Sequence, residues 1–360
     1  MPPPPACAFA SDNAAGAHPL VLDALMRANT GHALAYGSDA WTAETEARFR
    51  DLFGPQSSSL LVWNGTGANV LALASMIRPA DCIVCSQWAH IAVDETGAPE
   101  RILGSKLLTV PSADGKLVPE QLTELAHFIG VQHHAQPGVV SITQSTELGT
   151  LYTPDEVAAI CDAAHQMGMT VHLDGARIAN ATAALGATVA ALRSFTVDAG
   201  VDVVSFGGTK AGVAFGEAVV FLNPDLARRA IFIRKQVTQL PSKMRFIAAQ
   251  INALLADDLW IHLAQHSNRL ATRLYDATVG VGGVTYDASP QVNSVFPVLP
   301  RAAIERLREW CFFWDWDTAR DQVRWMTAWD TTDDDVDRFA AGVVAATGAV
   351  TGSATGRADN

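Results

Sequence analysis

Apolar, β-branched runs recur along the first two thirds of the chain at 60–63, 82–86, 106–110, 139–144, 169–173, 201–206 and 218–222. Several are nearly continuous rather than alternating, the pattern of strands covered on both faces. Helical periodicity fills the gaps. Its clearest instance follows Thr153-Pro-Asp-Glu156, with Val157, Ile160, Cys161 and Ala164 on one face. Thr153 is placed as N-cap, Pro154 as first helical residue, Glu156 as capping-box partner, and Gly168 as the stop. This alternation through residue 222 predicts an α/β fold, a mainly parallel sheet with its chemistry at the strand ends. From 224 to about 278 the pattern is helical, interrupted at Pro241, and Gly280-Val-Gly-Gly283 opens a smaller α+β portion. The expected division is an N-terminal segment 1–20, a large domain 21–245, a small domain 246–346 and a disordered tail 347–360 rich in Gly, Ser, Ala and Thr.

Composition narrows the partners. Of 360 residues, 37 are acidic and 25 basic, which argues against nucleic acid or an anionic membrane as partner. No apolar run reaches the roughly eighteen residues of a membrane span. The opening Met1-Pro-Pro-Pro-Pro-Ala6 has neither the basic nor the apolar region of a signal peptide, so a cytoplasmic protein is expected. The five cysteines form no disulfide framework. Cys82 and Cys85 have C-x-x-C spacing, but three residues apart on a strand they face opposite sides and read as structural.

Two strand ends carry the chemistry. Val201-Asp-Val-Val-Ser-Phe-Gly-Gly-Thr-Lys210 ends an apolar run in two glycines and a lysine; His172-Leu-Asp-Gly-Ala-Arg177 ends another in an aspartate and an arginine. An amine nucleophile with a buried acid is the pair a pyridoxal phosphate (PLP) enzyme uses. The lysine forms a Schiff base, and the acid keeps the pyridine nitrogen protonated. Asn64-Gly-Thr-Gly-Ala-Asn69 follows a strand and opens a helix, where backbone N–H groups and the Thr66 hydroxyl can hold a phosphate. His90 follows a strand end and suits stacking or proton transfer, and His133-His134 stand in a polar loop as a candidate base. His262 and His266 have zinc-pair spacing, but no third ligand is apparent and no metal is expected. Arg177, Arg245 and Arg324 are candidate anion clamps. Tryptophans 310, 314, 316, 325 and 329 read as core, subunit contact or an aromatic wall beside Arg324.

Together these motifs resemble the low-specificity L-threonine aldolases of the PLP-dependent aspartate aminotransferase superfamily, in particular the bacterial branch that includes phenylserine aldolases. The resemblance runs from Phe9 to about Phe339. It rests on Phe9-Ala-Ser-Asp-Asn13, Ala35-Tyr-Gly-Ser-Asp39, Asn64-Gly-Thr66, Ala89-His90, Asp94-Glu95-Thr-Gly-Ala-Pro-Glu100, Ile142-Thr-Gln-Ser-Thr-Glu147, Gly216-Glu-Ala218, Ser242-Lys-Met-Arg-Phe246 and the two strand ends.

It implies the PLP-dependent transferase fold type I, with seven strands in the large domain, and cleavage of L-threonine, L-allo-threonine and related L-β-hydroxy-α-amino acids, L-phenylserine among them, to glycine and an aldehyde. Lys210 would hold PLP, Asp174 pair with the pyridine nitrogen, and His90 stack on the ring. Gly65, Thr66 and Gly67 would bind the phosphate, and Arg177 would reach the ring hydroxyl or the substrate. Ser11 and Arg324 would take the substrate carboxylate, with Tyr36 and Asp94 as further substrate contacts. Lys235 and Arg245 would be lent across a dimer interface to the neighbour's phosphate, implying a homo-oligomer, a dimer assembled into a tetramer. Other branches place a histidine near position Thr146 as base; here Thr146-Glu147 stands instead, and His133 is the replacement expected. The alternatives are β-elimination, racemisation or transaldolation on the same scaffold, or an inactive PLP-fold binding protein.

Overall fold

Seven strands form one sheet in the computed structural model, which describes residues 1–355. They are β1 (Ser58–Val62), β2 (Asp81–Ser86), β3 (Lys106–Val110), β4 (Gln136–Thr143), β5 (Thr170–Gly175), β6 (Val203–Phe206) and β7 (Glu217–Phe221), in spatial order β1-β7-β6-β5-β4-β2-β3. β2 through β6 pair in parallel, β7 is antiparallel to β6, and β1 is antiparallel to β7. β7 alone therefore runs against the rest, and six strands end at one edge. Every residue of β6 and β7 is buried, so their unbroken apolar runs reflect cover on both faces.

The strand that leads to Lys210 is anchored by aromatics. Phe206 packs edge-on to Phe49 at 5.2 Å and Phe53 at 6.3 Å, and against Trp260 at 5.6 Å. Such pairs contribute about 0.5–1.5 kcal/mol each beyond their burial. Helix Pro154–Gln166 begins in the capping box that its sequence predicts: Glu156 N–H donates to Thr153 Oγ1 and Thr153 N–H to Glu156 Oε2.

The chain divides into two units, Ala17–Ile261 and Met1–Gly16 with His262 onward. The division expected at 245/246 thus falls at 261/262. Helix Arg245–Leu255 belongs to the large unit, because its buried polar face is satisfied there. The Thr45 hydroxyl donates to Asn252 Oδ1 at 2.7 Å, and Asn252 Nδ2 to the Trp41 carbonyl at 3.0 Å. The small unit has strands β8 (Thr285–Tyr286), β9 (Ser294–Val295), β10 (Pro297–Val298), β11 (Trp314–Asp317) and β12 (Gln322–Met326). Residues 1–16 are part of it. Phe9 stacks on Phe339 at 4.2 Å, and Met326 N–H donates to the Phe9 carbonyl.

The last helix runs Asp333–Thr355, so residues 347–355 continue a helix where a disordered tail was expected. At the start of that stretch Thr347 is buried, with its hydroxyl on the Val343 carbonyl. The remaining residues of that expected tail, 356–360, lie outside the described ones. Of the tryptophans, Trp325 is core, Trp310 stacks on Phe339, Trp314 is exposed, and Trp316 carries the Arg324 guanidinium at 4.9 Å over its ring.

Candidate active site

Five of the strands that end at one edge feed one small cavity of about 50 Å³. β1 leads to Gly65, β2 to His90, β4 to Thr143 and Glu147, β5 to Asp174 and Arg177, and β6 to Lys210. Helix α1 (Pro19–Ala28) and α2 (Ala40–Phe53) precede β1; α3 (Gly65–Met76) starts at the cavity, and the short α4 (His90–Val93) begins with the histidine.

Asp174 is buried at the end of β5, and both its oxygens are held. Oδ2 accepts from Asn69 Nδ2 at 2.8 Å and Oδ1 from the Ala176 N–H at 3.0 Å. The same Asn69 nitrogen donates to Glu95 Oε1 at 2.9 Å. Glu95 Oε1 also stands 2.9 Å from His90 Nδ1, and this carboxylate holds the imidazole above its ordinary pKa. One amide thus links two buried acids, one beside the lysine and one behind the histidine.

Two residues from Asp174 on the same face of β5, His172 lies fully buried between the Ser141 and Ser205 hydroxyls, each at 2.9 Å. Burial lowers its pKa to about 4, so it is neutral. Lys210 sits in the 3-10 turn Thr209–Ala211. Buried Glu217 accepts the N–H groups of Gly208 and Thr209 at Oε2, fixing the turn from beneath; its burial pushes its own carboxyl upward. Gly207 is required where this loop passes β5, since a β-carbon there would lie 2.4 Å from the Ala176 carbonyl oxygen.

Glu147 completes the wall. Its Oε1 accepts from the His90 N–H at 2.8 Å and the Thr143 hydroxyl at 3.0 Å, while Oε2 is buried with no hydrogen-bond partner. Burial first, and then the Asp174 charge, raise its pKa to about 7.

Of the residues expected from the sequence, Lys210, Asp174, His90, Arg177 and Gly65 meet at this cavity, with Thr66 and Gly67 in the first turn of α3. The Gly67 N–H already donates to Asn64 Oδ1 at 2.8 Å, so the anion-binding donors of that turn are those of Gly65 and Thr66. His133 is a correction. It is exposed just before β4, at the amino end of an eight-residue strand whose carboxyl end forms the cavity. At about 3.3 Å per residue that is roughly 25 Å away. Asp94 is a second correction: it is exposed, whereas Glu95 turns back beneath His90.

Tyr36, Lys235 and Arg245 do not line this cavity. Lys235 Nζ lies 5.2 Å over the Tyr36 ring, and Arg245 Nη1 donates to the Thr30 and Gly31 carbonyls at 3.4 and 3.3 Å. Ser11 and Arg324 belong to the small unit, where Ser11 caps the turn Asp12–Ala14. His266 Nε2 is 2.7 Å from the Thr331 carbonyl, and no group of His, Cys, Asp and Glu among the described residues is arranged to hold a metal. Asn69, Glu95, Glu147 and Glu217 were not singled out from the sequence. Their signal was present, since each stands inside or beside a motif that was.

Residues 8–302 match the family model described as beta-eliminating lyase. Low specificity L-threonine aldolases from Pseudomonas aeruginosa and Pseudomonas sp. are 43% and 42% identical over 88% and 89% of this chain, and over 94% and 96% of their own. The solved threonine aldolase of Leishmania major superposes with a TM-score of 0.87 at 30% identity, covering 94% of this chain and 98% of that one. An aspartate aminotransferase from Rhodobacter sphaeroides shares the fold alone, with a TM-score of 0.69 at 17% identity over 98% of this chain and 94% of its own. With its lysine, aspartate and histidine gathered at the carboxyl edge of a type I sheet, the chain belongs to the beta-eliminating lyase family of PLP-dependent enzymes.

Proposed function

We propose that this protein is an aldolase that cleaves L-threonine, L-allo-threonine and related L-β-hydroxy-α-amino acids such as L-phenylserine between Cα and Cβ, giving glycine and an aldehyde. The observation that carries this reading is the convergence of Lys210, Asp174 and His90 on one cavity in a chain 43% identical to an L-threonine aldolase.

The residues fit the cofactor. Asp174 is a buried acid on the cavity lining, held by two donors, and would meet a pyridinium N–H there; the first turn of α3 offers a hydroxyl and backbone donors to a phosphate. When bound, the cofactor supplies an electron-withdrawing ring that accepts the electron pair of the broken bond. Lys210 holds it through its amine, His90 presents its ring face, and Arg177 anchors the ring hydroxyl region or the substrate. Ser11 and Arg324 take the substrate carboxylate. Orientation is their contribution, because the bond that breaks is the one held perpendicular to the ring.

The active form is a homodimer, assembled further into a tetramer, in which Lys235 and Arg245 serve the neighbour's phosphate. Neither residue lines the cavity of its own chain, which supports this, as do exposed apolar side chains such as Met26, Leu34, Trp63 and Phe232. A cytoplasmic location is part of this proposal, and five free cysteines suit a reducing compartment.

Incubation of the PLP-loaded protein with L-threonine, L-allo-threonine and L-phenylserine is expected to release glycine and aldehyde in equal amounts, with no ammonia or pyruvate. Lys210→Ala should lose turnover and the visible cofactor band. Keto acid and ammonia, or inversion at Cα without aldehyde, would replace this reading with elimination or racemisation; normal turnover by Lys210→Ala would discard the site.

A further inference from the structure

Retro-aldol cleavage needs a base for the β-hydroxyl proton, and His133 lies at the wrong edge of the sheet to be that base. Hydrogen bonding separates the remaining candidates at the cavity. Asp174 accepts a donor at each oxygen. Glu95, like Glu147, has one buried oxygen without a partner, but its other oxygen is shared between Asn69 and His90 and its side chain is 0% exposed, whereas Glu147 is only half-buried. His90 has Nδ1 committed to Glu95 and, in the reading above, its ring face to the cofactor; the Glu95 carboxylate also raises its pKa, and with it the protonated fraction at any given pH.

Glu147 differs from all three. Its Oε1 is pinned by the His90 N–H and the Thr143 hydroxyl, which fixes the carboxyl head at the cavity wall. Its Oε2 is left without a donor. Orphaned buried oxygens are rare in folded proteins and call for a partner that arrives with the working complex. We propose that Glu147 is the general base of the cleavage, with Oε2 taking the proton of the substrate β-hydroxyl; this rests on the aldolase reading above.

The O–H electron pair becomes the second bond of the aldehyde carbonyl. The Cα–Cβ bond breaks, and the cofactor, when bound, would supply the sink for its electron pair. The proton left on Glu147 is then available to Cα, and the products balance as glycine and aldehyde. In the synthetic direction the same carboxyl acts as acid.

The surroundings tune this group for the task. Burial and the Asp174 charge raise its pKa to about 7, where base strength and deprotonated fraction are both useful. The other titratable groups facing it are His90, Glu95, Lys210 and Arg177 at the cavity, with Cys85 and Tyr152 around it. Burial pushes the Cys85 thiol up to about 12 and the Tyr152 phenol upward, so both are neutral.

Glu147→Gln tests the proposal, because glutamine keeps an acceptor for both hydrogen bonds and removes the base. In the PLP-loaded enzyme, kcat for L-phenylserine cleavage is expected to fall about 10²–10⁴-fold, with KM and PLP affinity changed by less than about threefold. The limb of the pH–rate profile that rises through about 7 should vanish. Independently of turnover, infrared spectra of the apoprotein should show a carboxyl band that titrates near neutral pH in the wild type and is missing from the variant. A variant that cleaves within about threefold of wild type, or keeps the limb, or lacks no carboxyl band, overturns the proposal. Wild type that cleaves beside an unimpaired variant refutes only the role of Glu147; wild type that releases no glycine and aldehyde refutes the aldolase reading and this role with it. Should Glu147→Gln fail to fold, Glu147→Asp supports the proposal by a shifted limb at reduced kcat and overturns it by an unshifted profile at the wild-type rate.

Discussion

Replacing Asn69 with leucine keeps the number and branching of the side-chain heavy atoms and deletes the one amide that joins the two buried acids of the site. Its Nδ2 donates to Asp174 Oδ2 at 2.8 Å and to Glu95 Oε1 at 2.9 Å. A hydrogen bond to an ionised acceptor contributes about 1.5–3 kcal/mol, so the two together contribute about 3–6 kcal/mol. Part of this is offset, because Asn69 Oδ1 is itself buried without a partner, and removing it returns about 1–3 kcal/mol. The mid-range values, about 4.5 and about 2 kcal/mol, leave a net loss for Asn69→Leu of about 2.5 kcal/mol. Asp174 would keep only the Ala176 N–H, so its aim at the cofactor should also degrade. Urea unfolding of the apoprotein should show a lower midpoint at unchanged slope, and PLP titration should show binding weakened by about tenfold or more. A leucine variant with wild-type midpoint and wild-type PLP affinity would refute the claim that this amide holds the acids in place.

The remaining predictions follow from burial, register and close approach. His172 has a folded pKa of about 4 against an ordinary 6.5, so the unfolded chain takes up the proton first; stability present above 6.5 is lost as pH falls toward 4. The full loss is about 3 kcal/mol, and urea midpoints of His172→Gln should lack that part of the slope. His133→Asn should leave the cleavage rate unchanged, since its loop opens at the amino end of β4; a drop of about tenfold or more in kcat would refute that placement. Gly207→Ala should cost about 1–3 kcal/mol and weaken PLP retention, because the new β-carbon meets the Ala176 backbone, which cannot rotate away. A variant as stable as wild type in thermal unfolding would show that the strand ends have room.

Much of this molecule was legible in short stretches of sequence. All seven strands of the sheet lie where the apolar runs put them, and Thr153, Pro154 and Glu156 cap their helix as their order implies. These features are local: a capping box spans four residues, and a covered strand needs only its own apolar run. The Lys210–Asp174 pair was legible for a related reason. Both residues end strands, and parallel strands bring their ends to one edge.

What the sequence could not determine is which loop opens at which edge and which of two adjacent residues turns inward. Asp94 and Glu95 are neighbours of like charge, and only the turn after α4 sends Glu95 under His90 and leaves Asp94 in solvent. Asn69 was one polar residue in an apolar helix until β5 brought Asp174 against it across 105 positions of sequence. His133 looked suitable by residue type, but it precedes its strand rather than following it. Glu147 looked like a departure from pattern, but its loop follows the same strand and reaches the cavity. By itself the sequence determined the elements, their caps and the cofactor-binding pair, because those depend on contacts close along the chain. Only the tertiary structure decided the wiring of the acids and the place of the base, because strand order sets which distant side chains share one buried space.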